Sequence, residues 1–106
     1  MRIVLDEDGL DFLDWRPGSG RSVEIFDIVV NSERRKGHGR KLVEKLLQAI
    51  EPRTSLIFAV TRISNEVAAQ FYAAVGFRIL GRLHNFYRDG GLPGEVESAL
   101  VFGLDL

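Results

Sequence analysis

The chain has 106 residues, 45% of them apolar and 27% charged, with a net charge of −1; this is the profile of one globular domain with a single core. No apolar run reaches the ~18 residues of a membrane span and no basic, apolar leader opens the chain, so no membrane partner is expected and a cytoplasmic location follows. With no Cys and two separated His, disulfides, thiolate metal sites and a Cys nucleophile are excluded and no metal is expected.

Arg2 to Leu5 and Leu10 to Trp15 read as two short strands around the acidic turn Asp6-Glu7-Asp8-Gly9, where Asp-Gly supplies hairpin chemistry. Asp6, Glu7, Asp8, Asp11 and Asp14 crowd this segment and read as a solvated hairpin, with attraction of a substrate amine as the alternative. Pro17-Gly18-Ser19-Gly20 breaks the run. Val23 to Val30 is β-branched and nearly continuous in apolar residues, the pattern of a strand covered on both faces, and only Glu24 and Asp27 interrupt it.

The next segment, Arg34-Arg35-Lys36-Gly37-His38-Gly39, is a basic, glycine-bearing turn. Beyond it Leu42, Val43, Leu46, Leu47 and Ile50 recur at helical spacing, and Pro52 stops the helix. Leu56 to Val60 is a second apolar strand, so strand, helix and strand predict a βαβ unit with parallel strands. A second helix is expected from Ser64 or Asn65, with Val67, Ala68, Phe71, Tyr72 and Val75 inward and Gly76 just past its end. Phe77 to His84 and Val96 to Leu104 predict two last strands around the loop Asp89-Gly90-Gly91-Leu92-Pro93-Gly94.

A helix start offers unpaired N–H groups and the positive end of the helix dipole, and glycines let a phosphate approach the backbone. The spacing fits neither G-x-x-x-x-G-K-[ST] nor G-x-G-x-x-G, because Leu42 stands where a third glycine would be. What remains, R-x-x-G-x-G after a strand, resembles the acyl-CoA signature of the GNAT N-acetyltransferase superfamily. Asn65-Glu66-Val67-Ala68-Ala69-Gln70-Phe71-Tyr72-Ala73-Ala74-Val75-Gly76-Phe77 resembles that superfamily's N-x-x-A-x-x-F-Y-x-x-x-G-F segment. Asn85-Phe86-Tyr87 is similar to the N-Y-Y stretch of the ribosomal-protein alanine N-acetyltransferases, although Ala59-Val60-Thr61 stands where those carry a glutamate base.

The resemblance implies the α/β (α+β) acyl-CoA N-acyltransferase fold of the GNAT proteins: a mixed, mostly antiparallel sheet with a central parallel βαβ unit. The first strand and two helices usual in the superfamily are missing here. It implies acetyl-CoA as co-substrate and an amine acceptor as partner. Arg34, Arg35, Lys36, Gly37, His38, Gly39 and Arg40 would clasp the pyrophosphate. The backbone of Ile28, Val29 and Val30 would meet the pantetheine arm, the linker Asn31-Ser32-Glu33 being one residue short of the pattern. Asn65 and Phe71 complete the cofactor set, with Asn65 a helix cap as well. Tyr72 is the expected general acid toward the departing thiolate, against a role as core aromatic. Glu24 matches the glutamate base of the histone-acetylating branch; Asp27, a water chain, or a strand-end carboxylate paired with an arginine remain open. His84 reads as a partly buried strand residue, with proton relay as the alternative.

The expected activity is therefore N-acetyl transfer to a primary amine, with a homodimer completing the acceptor side. A coenzyme A sensor without turnover is the first alternative. A nucleic-acid-binding domain is disfavoured, because the chain has no positive surplus and no aromatic interleaves the basic turn.

Overall fold

The structure, a computed structural model, describes residues 1–5, 9–30, 37–88 and 96–106. Eight elements follow in order: β1 (Arg2–Val4), β2 (Phe12–Pro17), β3 (Ser22–Val29), α1 (His38–Ala49), β4 (Leu56–Arg62), α2 (Glu66–Ala74), β5 (Arg78–Tyr87) and β6 (Glu97–Asp105). The strands form a six-stranded mixed sheet in the order β1-β2-β3-β4-β6-β5, with β3 and β4 parallel. The parallel strands are a consequence of the intervening helix, since a crossover is what a parallel pair needs. Asp6 to Asp8, the linker Asn31-Ser32-Glu33, Arg34, Arg35, Lys36 and the loop from Asp89 to Gly94 lie outside the described residues.

The chain divides into two compact units, Met1–Ile57 with Leu106, and Phe58–Asp105. In the first, β1, β2 and β3 form an antiparallel meander, and α1 packs on β1 and β2. Leu13, Val23, Ile25, Leu42, Val43, Leu46, Ile50 and Ile57 are its buried apolar side chains. The helical stripe is thus as its spacing predicts, except that Leu47 is 40% exposed.

Two expectations for this unit need correction. β3 is not covered on both faces: Val23 and Ile25 are buried, whereas Phe26 is 49% exposed and Asp27 is exposed as well. The reason is a shift in register, in which Asp14 pairs with Asp27 while Trp15 pairs with Ile25. Phe26 is the extra residue of a β-bulge, and a bulge reverses which side chains face inward. Nor is the acidic hairpin uniformly solvated. Asp11 is 1% exposed, and Asp14 takes both Nε and Nη2 of Arg2, at 2.7 and 2.9 Å. The hydrogen bond from Arg2 holds the Asp14 carboxyl below the usual carboxylate range.

In the second unit β5 and β6 pair antiparallel with two register shifts, the second between Leu83 and Tyr87. Asn85, inside that irregular stretch, takes the left-handed backbone at φ 50 and donates its N–H to Ser98 Oγ at 3.2 Å. α2 starts and stops where expected, but its inner side is narrower. Tyr72 is buried, whereas Val67 is 79% exposed, because in a helix at 100° per residue only one of the neighbouring positions 67 and 68 can share the face of Tyr72. β5 runs on to Tyr87 and is mostly exposed rather than alternating, as befits a strand with a single neighbour.

Candidate active site

α1 begins without the carboxylate or hydroxyl that usually caps a helix. Its N-cap is Gly37 in the left-handed conformation, φ 87 and ψ 0, with no side-chain cap and no acidic residue in the first turn. Among the described residues, a side chain at Gly37 would meet nothing within 4 Å. The first-turn N–H groups of a helix have no intrahelical partner, and the N-cap residue, a glycine, brings no side chain to them. A glycine backbone, a helix start without an N-cap side chain and the positive end of the dipole together suit an anion such as a phosphate.

His38, the first residue of α1, is held from the side. Its Nδ1 lies 2.5 Å from Asp11 Oδ2, and the two side chains are 15% and 2% exposed. Gly39 follows, buried, and Arg40 points to an exposed position. On β3, Ile28 and Val29 pair with Leu13 and Phe12, and Val30 is 41% exposed just past the strand. Glu24 accepts a hydrogen bond from Arg16 Nε at 2.8 Å. The same guanidinium lies 4.9 Å from the ring centroid of Phe26. Glu24 is thus a paired carboxylate on a bulged strand.

The second unit holds the other predicted residues. Asn65 is the N-cap of α2, its Oδ1 accepting the N–H of Ala68 at 3.0 Å. Tyr72 is 3% exposed, with its ring centroid 5.2 Å from Phe71, 5.0 Å from Phe77 and 5.5 Å from Phe102. The stacked geometry on Phe102 and the edge contact with Phe71 are favourable aromatic arrangements. His84 is exposed rather than partly buried, on a strand with a single neighbour.

The chain matches the FR47-like protein family over residues 12–87, a span that takes in the Gly37 turn, α1, Asn65 and Tyr72. The chain belongs to this GNAT-related family. No curated protein matches its sequence. Among solved structures, the ribosomal-protein-S18-alanine N-acetyltransferase of Escherichia coli is 24% identical, with a TM-score of 0.69, and the match covers 95% of this chain and 64% of that one. A Bacillus anthracis protein described as a streptothricin acetyltransferase, solved with acetyl coenzyme A, is 27% identical at a TM-score of 0.79, with 92% and 56% covered. Chaetomium thermophilum Naa20, solved with a bisubstrate analogue, is 22% identical at a TM-score of 0.75, with 95% and 63% covered. This chain therefore spans between about half and two thirds of the length of these GNAT acetyltransferases, and it has their fold.

Within the GNAT frame, three features were not foreseen from sequence. Asp11 looked like one more acid of a charged hairpin. Thr61, on the buried face of β4 with Ile57 and Ala59, is 8% exposed, and its Oγ1 is buried with no hydrogen-bond partner among the described residues. Arg62 pairs with Glu97 at 3.2 Å and lies 4.1 Å from the ring centroid of Tyr87, the last residue of the Asn85-Phe86-Tyr87 stretch. Alternation along β4 marks Thr61 as inward, but no pattern in the sequence joins Arg62 to Glu97. A cleft of about 450 Å³ lined by Trp15, Arg21, Ser22, Glu51 and Arg53, among others, lies by the first residues of β3. None of the predicted site residues that the structure describes lines it, and the Gly37 turn follows the other end of that strand.

Proposed function

We propose that this chain is an acetyl-CoA-dependent N-acetyltransferase that passes acetyl directly to a primary amine, with no covalent enzyme intermediate. The observation that carries the reading is the start of α1, a helix opened by left-handed Gly37 and left without a capping side chain, in a chain of the FR47-like family. The pyrophosphate of acetyl-CoA would lie against the backbone of Gly37, His38 and Gly39, with Arg34, Arg35, Lys36 and Arg40 adding charge. The backbone of Ile28, Val29 and Val30 would meet the pantetheine arm, with Asn65 and Phe71 toward its thioester end.

In the transfer itself the amine nitrogen bonds to the acetyl carbonyl carbon, the carbon–sulfur bond breaks, and the thiolate leaves with its electron pair. Tyr72 would give its phenolic proton to that thiolate, and the second proton, which the nitrogen sheds as it becomes the amide, would restore the phenol. Glu24, or water, would take the proton that the acceptor ammonium must lose before it can attack. Protein N-termini, lysine and small-molecule amines are the acceptor classes, and the ribosomal-protein-S18-alanine N-acetyltransferase among the solved neighbours makes peptides the first to try. The cytoplasmic location and the homodimer belong to the same proposal.

Burial favours a second reading. Tyr72 is 3% exposed and touches three phenylalanine rings, as a purely structural tyrosine would, so coenzyme A binding without turnover is the alternative. Two measurements decide. Acetyl-CoA at a hundredfold excess over its dissociation constant should stabilise the fold by about 2.7 kcal/mol, and a melting temperature unmoved by millimolar acetyl-CoA but raised by a duplex oligonucleotide would defeat both readings. Release of free thiol in a screen of peptides, polyamines and aminoglycosides then separates enzyme from sensor.

A further inference from the structure

Thr61 carries a buried hydroxyl that nothing among the described residues satisfies. The residue is 8% exposed, and its Oγ1 has no hydrogen-bond partner among them. A hydroxyl taken out of water without a partner loses its hydration and gains nothing in return, so such a group is costly to keep. The inward positions before it on β4 are the apolar Ile57 and Ala59, and valine would fill the place of Thr61 with the same shape and no polar atom to satisfy. By contrast, the hydroxyl of Ser98, 6% exposed on β6, is engaged. Its oxygen accepts the N–H of Asn85 at 3.2 Å and Nη2 of Arg82 at 3.4 Å.

The position of Thr61 points to the missing partner. Ile63 donates its N–H to the Ser98 carbonyl and Leu106 donates to the Ser55 carbonyl, each at 3.0 Å. These two bonds make β4 and β6 antiparallel, with Ala59 opposite Phe102 and Thr61 opposite Leu100, and residues opposite each other in such a pair share a face. The ring of Phe102 stacks on Tyr72 of α2. Thr61 therefore lies on the face that α2 covers, at the end of β4 that leads into the Asn65 cap. Asn65, Phe71 and Tyr72 are the residues of this unit assigned above to the pantetheine arm and its thioester. We propose that Thr61 is a further donor-binding residue: its Oγ1 is kept for an amide of the pantetheine arm, a hydrogen bond that the free protein lacks and the complex makes. The inference rests on the coenzyme A reading above. It makes the strand, as well as the helix, part of the grip on the acyl donor.

The test sets stability against affinity, since a merely structural hydroxyl would not move the two in opposite directions. Thr61→Val should raise the melting temperature of the ligand-free protein, by roughly 4–8 °C for removal of one unsatisfied buried hydroxyl. The same variant should bind acetyl-CoA about three- to tenfold more weakly, the usual worth of one hydrogen bond. Thr61→Ser keeps the hydroxyl and should keep wild-type affinity. Phosphoadenosine diphosphate, the nucleotide half of coenzyme A without the arm, should bind all three proteins alike, with each dissociation constant read by NMR titration. A Thr61→Val protein that melts no higher than the wild type, or does not fold, shows that the hydroxyl is already satisfied in the free protein and overturns the proposal. Equal loss toward acetyl-CoA and the nucleotide half overturns it too. A wild type that binds no coenzyme A sinks the coenzyme A reading and the inference with it, whereas a wild type that binds while Thr61→Val binds equally sinks the inference alone.

Discussion

Glu97 accepts the backbone N–H of Ser64 at 3.0 Å, fastening the start of β6 to the turn between β4 and α2. Ser64, and then Arg62, hold the Glu97 carboxyl below its ordinary value of 4.5. A carboxylate whose folded value is depressed stabilises the fold in full above its unfolded value and loses that contribution as pH falls through the folded one. Asp14 beside Arg2 and Asp105 beside Arg78 are depressed in the same sense from 3.8. Melting temperature should therefore be level near neutrality and fall below about pH 4.5. Glu97→Gln should lower it at pH 7 and converge with the wild type in acid; a difference that persists at pH 2 would mean that the charge is not what matters.

Asn65→Ala removes the side-chain cap of α2 and should cost about 1 kcal/mol, a fall of roughly 4–8 °C in melting temperature for a domain of this size. If Asn65 also holds the pantetheine arm, coenzyme A affinity falls in the same variant. Aspartate at 65 separates the roles, since it restores the cap but not the amide donor.

Gly37 has φ 87, and among the described residues nothing lies within 4 Å of where a Cβ would go, so alanine there meets backbone strain of about 1–2 kcal/mol. Asparagine tolerates the left-handed region and should restore most of that stability. Both variants put a side chain into the space assigned to the phosphate, so both should weaken acetyl-CoA binding. Titration calorimetry showing wild-type affinity in the stable Gly37→Asn protein would confine the glycine to a backbone role.

Tyr72→Phe keeps the ring among Phe71, Phe77 and Phe102 and should leave acetyl-CoA affinity within a few fold while lowering kcat by about 10²–10⁴. Tyr72→Ala should instead cost about 3–5 kcal/mol of stability, as a large buried aromatic does. Glu24→Gln should slow transfer most at low pH, where more of the acceptor is ammonium. A wild-type kcat in Tyr72→Phe would return that residue to the core, and a flat pH response in Glu24→Gln would leave Glu24 as the partner of Arg16.

Gly103 lies against Leu80, and a Cβ at 103 would come within 2.5 Å of Leu80 Cδ1. Leu80 is 38% exposed and can turn aside, so Gly103→Ala should cost only about 1 kcal/mol, the low end of overpacking. Chemical denaturation will read it, and a cost several times larger would mean that the edge strand cannot yield.

The helical elements were legible because their signals are periodic and local. The stripe from Leu42 to Leu46, the Asn65 cap and Gly76 each identify themselves within a few residues, and the parallel pair follows from the helix between β3 and β4. The bulge at Phe26 was not legible, since an unbroken apolar run looks the same with or without a register shift. Nor was the burial of Asp11, whose partner His38 comes from a different element. In the site, the glycine turn was read from its chemistry, whereas the pairing of Glu24 with Arg16 depends on a strand register that nothing in the local sequence fixes.

The chromophores are divided as the chain is. Trp15, the only tryptophan, belongs to the unit Met1–Ile57, and both tyrosines, Tyr72 and Tyr87, belong to Phe58–Asp105. Indole emission excited at the red edge thus reports on the meander and α1 alone, while tyrosine signals report on Tyr72 in the aromatic cluster around α2 and on Tyr87 at the end of β5. The wild-type protein carries its own pair of optical labels, with which melting of the glycine-turn half and of the Tyr72 half can be timed separately in one cuvette.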